Sequence, residues 1–252
     1  MGSTEPQAPH GGVDVALRRA EAADAAAITE AHLRARATAP MPPSVHDAAE
    51  IQRWVSRRID ECEVWVAEAA GAVVGYADLD AERAGPGWLH SLYVLPEHTG
   101  RGVGSLLLDL AKARRPEGFS LWVFASNEPA RRFYRGRGLV ELERTDGSTN
   151  EERAPDLRMA WPGERPLEHF RAQIDQVDAD LALLLAYRFA LARAVQEHKP
   201  VGGHRGRDPE REREIVQGMA ARAPGVPEET WEQVVDAVIR AGLDAAERQG
   251  PG

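Results

Sequence analysis

One cysteine, Cys62, stands in 252 residues. No disulfide can form within the chain, and a reducing cytoplasm is the expected setting. No apolar run reaches the ~18 residues a membrane helix needs, and the N-terminus lacks the cationic-then-apolar order of a secretory signal. A cytoplasmic chain with no membrane partner is therefore expected. Basic charge is short as well: 31 Lys and Arg against 40 Asp and Glu leave a net charge of −9. Without a basic block, nucleic acid is not an expected partner either. There is no internal repeat, no Ser-His-Asp arrangement and no legible metal-ligand cluster, the eight histidines being scattered. Small molecules remain as the ligands to look for.

What is present divides in two, and the length allows two domains with a core each. Residues 1–12 hold few large apolar side chains and many Gly and Pro, the composition of a disordered tail. Residues 13–161 mix strand and helix signals, residues 162–166 (Pro162, Gly163 and Pro166 among them) read as a linker, and residues 167–249 carry only the helical period. The fold class expected is α+β: a mixed, mostly antiparallel sheet with flanking helices, followed by a three-helix all-α domain.

In the first part, a strand at 13–17 is followed by helices at 22–37 and 47–60, the second burying Ile51, Trp54 and Val55. A hairpin at 63–68 and 73–79 turns at 70–72, and a strand at 88–94 ends at Leu95-Pro96. Then Thr99-Gly100-Arg101-Gly102-Val103-Gly104 runs straight into an amphipathic helix. Strand, glycine loop and helix make a phosphate-binding arrangement, because backbone N–H groups converge where Cβ atoms are missing and the helix dipole favours an anion. A strand at 119–124, a capping Asn127, a helix carrying Phe133 and Tyr134, and strands at 139–144 and 157–161 complete this half.

The set LYVLP, TGRGVG, SN, ARRFY and GL resembles the GNAT acyltransferase superfamily over residues 13–161. The resemblance implies acetyl-CoA as donor and a small amine as acceptor. It implies that Leu92, Tyr93 and Val94 offer backbone groups to the pantetheine arm, and that Thr99, Gly100, Arg101, Gly102, Val103 and Gly104 hold the pyrophosphate. Asn127 binds the cofactor, and Tyr134 protonates the leaving thiolate. Thr99 replaces the usual Arg or Gln of the motif, and Trp122 stands where some members keep a carboxylate base. That leaves His90, Asp78 and Asp80 as candidates for the base.

In the second part Ile174, Val177, Leu181, Leu184, Leu185, Leu191 and Val195 recur at helical spacing to about residue 199, predicting one long helix with a buried stripe. Arg188 and Lys199 lie about three turns apart, roughly 16 Å along the axis, and point the same way, so they can grip the two ends of one small anion. Arg171 lies roughly 25 Å before Arg188, which is out of reach of that anion and calls for a second chain. Asp208 reads as the N-cap of a second helix with Pro209 at its first position. Asp208, Arg211 and Glu212 then share a face.

Arg171, Arg188, Lys199, Arg211 and Glu212, with Asp208, resemble the pattern of the all-helical class of chorismate mutase over residues 166–247. The resemblance implies an interlocked homodimer that converts chorismate to prephenate by Claisen rearrangement. Arg171 of a second copy, Arg188 and Arg211 hold carboxylates, Lys199 stabilises the ether oxygen and Glu212 orients the ring hydroxyl. The family's third-helix Ser and Gln or Glu fall on Gly242 and Ala246, with Glu247 about 100° round the helix. A bifunctional enzyme is therefore expected. The alternatives for the helical half are a sensor of a chorismate-like ligand that also dimerises the chain, an isochorismate-pyruvate lyase, or an aminodeoxychorismate mutase.

Overall fold

The computed structural model describes residues 14–81 and 87–248. The expected tail at 1–12, the first residue of the expected first strand and the expected end at 249 lie outside the described residues. The chain divides into two compact units, Met1–Leu142 with Leu157–Arg165, and Glu143–Asp156 with Pro166–Gly252.

The first unit is organised on a seven-stranded sheet of order β1-β2-β3-β4-β5-β7-β6. The strands are β1 (Val15–Arg19), β2 (Glu63–Ala69), β3 (Ala72–Leu79), β4 (Gly87–Val94), β5 (Phe119–Phe124), β6 (Val140–Arg144) and β7 (Asp156–Trp161). The helices are α1 (Ala25–Thr38), α2 (Ala48–Glu61), α3 (Val103–Arg114) and α4 (Glu128–Arg135). The start of α2 is set by a reciprocal cap: Asp47 accepts from the Glu50 N–H at 2.8 Å and Glu50 accepts from the Asp47 N–H at 3.0 Å. The β2–β3 hairpin closes at Ala70 and Gly71, both at positive φ, the geometry that matches strand twist.

Each face of the sheet has its own core. Leu107, Leu108 and Ala111 of α3 pack with Leu89, Phe119, Leu121 and Val123 on one face. On the other, Ile28 and Ala31 of α1 and Ile51 and Val55 of α2 pack on Val64, Val66 and Tyr76. Trp54, expected in the core, is half-buried at its margin.

Two irregularities shape the middle of the sheet. Asp78 pairs with Ser91 but Leu79 with Leu89, so β4 bulges at His90. Parallel strands β4 and β5 then pair only at Gly87↔Phe119 and Trp88↔Ser120. Beyond those pairs β4 runs on to Val94 and β5 to Phe124 with no further β4–β5 pair among the described residues, and the sheet opens as a V.

The second unit carries α5 (Pro166–His198), α6 (Pro209–Arg222) and α7 (Glu228–Arg248). The first of these spans 33 residues, about 50 Å. Asp208 caps α6 by accepting from the Glu210 and Arg211 N–H groups, each at 3.1 Å, and Pro209 follows. The apolar stripe of α5, expected to be buried, is open on the single chain: Ile174, Val177, Leu181, Leu184, Leu191 and Val195 are 47–66% exposed. Leu185, also on that stripe, is half-buried. Periodicity identifies an amphipathic helix, and here the covering surface does not come from α6 or α7. No described helix is long and apolar enough to cross a membrane.

Candidate functional sites

The V between β4 and β5 is the first site. Gly100 and Gly102 hold φ of +77° and +90°, and a Cβ on either would meet nothing within 4 Å. Glycine is required there for the backbone, and the space above the loop stays open. Gly104 differs, since its Cβ would come 3.5 Å from the Phe133 ring, so it sets how closely α3 approaches α4. The bond from the Leu106 N–H to Gly102 O at 3.0 Å is the first to tie α3 to the loop. The N–H groups of Val103 and Gly104 are left at the helix end, where an anion is favoured. Arg101 is exposed beside them, and Thr99 donates to Leu95 O at 3.4 Å.

Leu92, Tyr93 and Val94 are paired with Ala77, Tyr76 and Gly75 along one edge. Their other edge looks into the V. Asn127 is partly committed: its Oδ1 accepts the Ala130 N–H at 3.3 Å as the cap of α4. Its amide N–H groups make no hydrogen bond among the described residues. Tyr134 is buried at 8% exposure with its ring 5.2 Å from Phe133. Burial, and after it Tyr93, pushes its hydroxyl pKa well up, so the phenol keeps its proton.

The three candidate bases separate. Asp78 is 1% exposed, and Arg58 donates to both of its oxygens at 2.8 and 2.9 Å. Asp80 lies 3.5 Å from Arg115 Nε with its Oδ1 buried. His90 is exposed on the bulge.

The second site lies within the helical unit, a cavity of about 230 Å³ bounded by α5, α6, α7 and the turn before α6. Arg188, Lys199, Arg207 and Arg211 face two carboxylates, Asp208 and Glu212, over an apolar floor of Val195, Ile215, Ile239 and Leu243. Arg188 is half-buried and makes no hydrogen bond or ion pair among the described residues. Lys199 donates to Gly206 O at 2.8 Å, which closes the turn over the cavity. Arg211 reaches Glu214 at 2.7 Å and is largely exposed. Arg171 is exposed on the first turns of α5, outside this cavity.

The sequence reading missed Arg207. It donates to both oxygens of Glu212 at 2.8 and 2.6 Å and to Asp236 at 2.9 Å, so Glu212 is held by a partner. Two hydrogen bonds to Glu212 and then Asp236 hold the Arg207 guanidinium pKa well above its ordinary value. Gln196 was also missed; it accepts the Gly203 N–H at 2.9 Å.

The third-helix positions are corrected too. Gly242 and Ala246 line a different cavity, with Phe189, and a Cβ on Gly242 would come 3.1 Å from that ring. Leu243 is the residue on the candidate cavity, and Glu247, one turn later, approaches the Gly203 that also lines it. Residues scattered in sequence also meet on the surface: His204, Asp244 and Glu247 bring their ligand atoms within 4.8 Å. His204 Nε2 is hydrogen-bonded to Asp244 at 2.9 Å, an exposed ion-pair arrangement.

The sequence matches the pattern of the acetyltransferase (GNAT) family over residues 28–139 and that of chorismate mutase type II over residues 170–246. It is similar to an uncharacterized N-acetyltransferase of Archaeoglobus fulgidus, 36% identical over 42% of this chain and 77% of that one. It is also similar to the peptidyl-lysine N-acetyltransferase YiaC of Escherichia coli, 30% identical over 39% of this chain and 62% of that one. A GNAT-family acetyltransferase structure from Desulfovibrio desulfuricans superposes with TM-score 0.50 at 18% identity, over 59% of this chain and 98% of the other. That superposition gives the first unit the fold of the neighbour, and the cationic cavity lies within the residues of the second match. The chain belongs to the GNAT acetyltransferase family and joins to that domain a type II chorismate mutase domain, both of them enzyme families.

Proposed function

We propose that the chain is bifunctional, transferring acetyl from acetyl-CoA to a small amine in its first unit and rearranging chorismate to prephenate in its second. For the first reaction the open loop at Gly100 and Gly102 and the N–H groups of Val103 and Gly104 suit a pyrophosphate. The free edge of Leu92, Tyr93 and Val94 suits the amides of a pantetheine arm. Bound there, acetyl-CoA supplies an acyl group activated as a thioester. Tyr134, kept protonated by burial, delivers a proton to the departing sulfur.

For the second reaction no nucleophile is needed. Catalysis is a matter of holding the ring compound compact and stabilising charge that grows on its ether oxygen. The observation that carries this reading is Arg188, an unpaired guanidinium facing a cavity that already holds Lys199, Arg207 and Arg211. Planar guanidinium groups bind carboxylates in pairs of hydrogen bonds. Lys199 serves the ether oxygen and Glu212, fixed by Arg207, orients the ring hydroxyl. Asp208 sets the α6 terminus from which Arg211 and Glu212 project. Glu247 supplies on α7 the polar group that Leu243 lacks.

The exposed stripe of α5 supports a homodimer. An antiparallel pair of α5 helices centred between Leu184 and Leu185, the middle of the stripe from Ile174 to Val195, sets Arg171 of a second copy opposite residue 198. That is beside Lys199 of the cavity.

Chorismate loss followed by its ultraviolet absorbance tests the mutase reading. Turnover abolished in Arg188→Ala is expected; tight binding without turnover in the unsubstituted chain would make the helical unit a sensor instead. A shift in melting temperature with acetyl-CoA, absent with free acetate, tests the donor site.

A further inference from the structure

The acetyl-transfer reading leaves unused a group of rings on the sheet face opposite α3. Trp88 of β4 and Trp122 of β5 stack with centroids 6.5 Å apart and planes 16° apart. The His90 ring lies 6.5 Å from Trp88 at 29°. The Arg158 guanidinium sits over Trp88, 5.0 Å from its centroid. Their strand neighbours Leu89, Leu121 and Val123 are in the core with α3, so alternation turns Trp88 and Trp122 to the other face, and its ring contact with Trp88 puts His90 beside them despite the bulge. Trp122 remains 44% exposed, and His90 is exposed as well. A stacked indole pair left open beside an imidazole is a surface built to receive a flat ligand.

We propose that Trp88 and Trp122 form the acceptor subsite, that the acceptor is a primary amine carried on an aromatic body, and that His90 takes the proton from that amine. This deepens the acetyl-transfer reading and rests on it. The rings stand where β4 and β5 part company, just past Trp88↔Ser120. His90 is two residues from Leu92, about 7 Å along the strand. The glycine loop and α3 approach the V from one face and the tryptophans from the other, so donor and acceptor enter from opposite sides. An aromatic body stacks on the indoles and its ammonium gains from their π faces.

Rivals for the proton are otherwise engaged. Asp78 is bound through both oxygens by Arg58. Asp80 makes no hydrogen bond through its Oδ1, but that oxygen is buried 3.5 Å from the Arg115 guanidinium, away from solvent and amine. His32 shares Nδ1 with the Tyr76 hydroxyl at 2.7 Å, and burial, then Arg36, pushes it down to about 4, too weak a base for an ammonium. The charges acting on His90 are Arg58 from α2, Asp78 from β3 and Asp80 just past the end of that strand. Loss of water around the ring, although the residue as a whole is exposed, and then Arg58 lower its pKa; the two carboxylates only partly restore it, so the ring is neutral at neutral pH and able to accept.

The step balances without a further reagent. The ammonium gives one proton to His90, and the amine lone pair forms the N–C bond to the acyl carbon as the C–S bond breaks. The sulfur takes a proton from Tyr134, and the second amine proton replaces it. The proton on His90 returns to solvent.

The test uses the full chain with 2-phenylethylamine, n-butylamine and Nα-acetyl-lysine amide as probes. Calorimetry without acetyl-CoA is expected to show 2-phenylethylamine binding at least tenfold tighter than n-butylamine. That preference should vanish in Trp122→Leu and return in Trp122→Phe, which keeps a ring if the leucine variant misfolds. In His90→Gln, amine affinity stays within about twofold while kcat falls about 100-fold. The acidic limb of the kcat profile should disappear, and the pH of that limb should match the His90 titration read by NMR in the free protein. Equal binding of the three amines, preference for the lysine amide, or an acidic limb that persists in His90→Gln would overturn the proposal. Failure of acetyl-CoA to stabilise the chain would instead strike the reading beneath it, while the calorimetry still judges the subsite.

Discussion

Replacing Leu184 by Glu should split the proposed dimer, and the size of the effect can be worked out. Leu184 is 66% exposed on the single chain. Full burial of a leucine is worth about 1.5–3 kcal/mol, so about 1–2 kcal/mol per chain is available to a covering partner. A carboxylate in its place must lose water without a countercharge, at a further cost of at least about 2 kcal/mol. A twofold interface counts every substitution twice. The loss is then at least about 6 kcal/mol, or about 10⁴-fold in dissociation constant. Sedimentation equilibrium from 0.1 to 100 µM (~ranges set by typical interface affinities) should show unsubstituted dimer and variant monomer. The argument is refuted if the unsubstituted chain is a monomer throughout, or if Leu184→Glu sediments as a dimer with unchanged affinity.

Arg188→Ala removes a guanidinium able to make two charge-assisted hydrogen bonds of about 1.5–3 kcal/mol each, so kcat/KM for chorismate should fall about 10²–10⁴-fold with folding intact by circular dichroism. Tyr134→Phe deletes only the buried hydroxyl and should lower kcat for acetyl transfer about 10²-fold or more while leaving the acetyl-CoA affinity measured by calorimetry in place. Gly102→Ala meets no steric obstacle, yet φ of +90° costs an L-residue about 1–2 kcal/mol, which should appear as a lower melting temperature and weaker acetyl-CoA binding. His32 drops from 6.5 to about 4 on folding. The unfolded chain therefore binds the extra proton between those values, and stability is lost as pH falls from 6.5 toward 4, by about 3 kcal/mol in total. Urea unfolding across that range checks it, and the His32→Gln variant should show a correspondingly flatter slope.

Much of this was legible because local chemistry fixed it. Asn127 and Asp208 announce helix starts through their capping oxygens, and Gly100 and Gly102 announce a loop that only glycine can follow. Arg188, Lys199 and Arg211, three cations of the helical unit's cavity, were legible because they recur in register on α5, just past its end and on α6. Four features were not. The bulge at His90 depends on how β3 and β4 slide past each other, which alternation alone does not encode. Arg207 belongs to the turn before α6, and nothing local says that it bridges Glu212 to Asp236, far along the chain on α7. On α7 the cavity face was set one residue too early, at Gly242 and Ala246. A slip of one residue turns a helix by about 100°, enough to exchange the Phe189 contact for the cavity. The stripe of α5 was read as apolar and buried and stands open on the single chain, because a period reports that a face wants cover and not which molecule brings it.

That uncovered rod carries a further implication for dosage. Helices α5–α7 fully enclose only His169, Val216, Val235, Gly242 and Leu243, a small interior for a free-standing unit. If each ring-compound site is completed by a neighbour, then at scarce copy number its output climbs with the square of the amount of protein made. Acetyl transfer, self-sufficient within one polypeptide, climbs only in proportion. The ratio of the two products would then report how much of the chain a cell has accumulated.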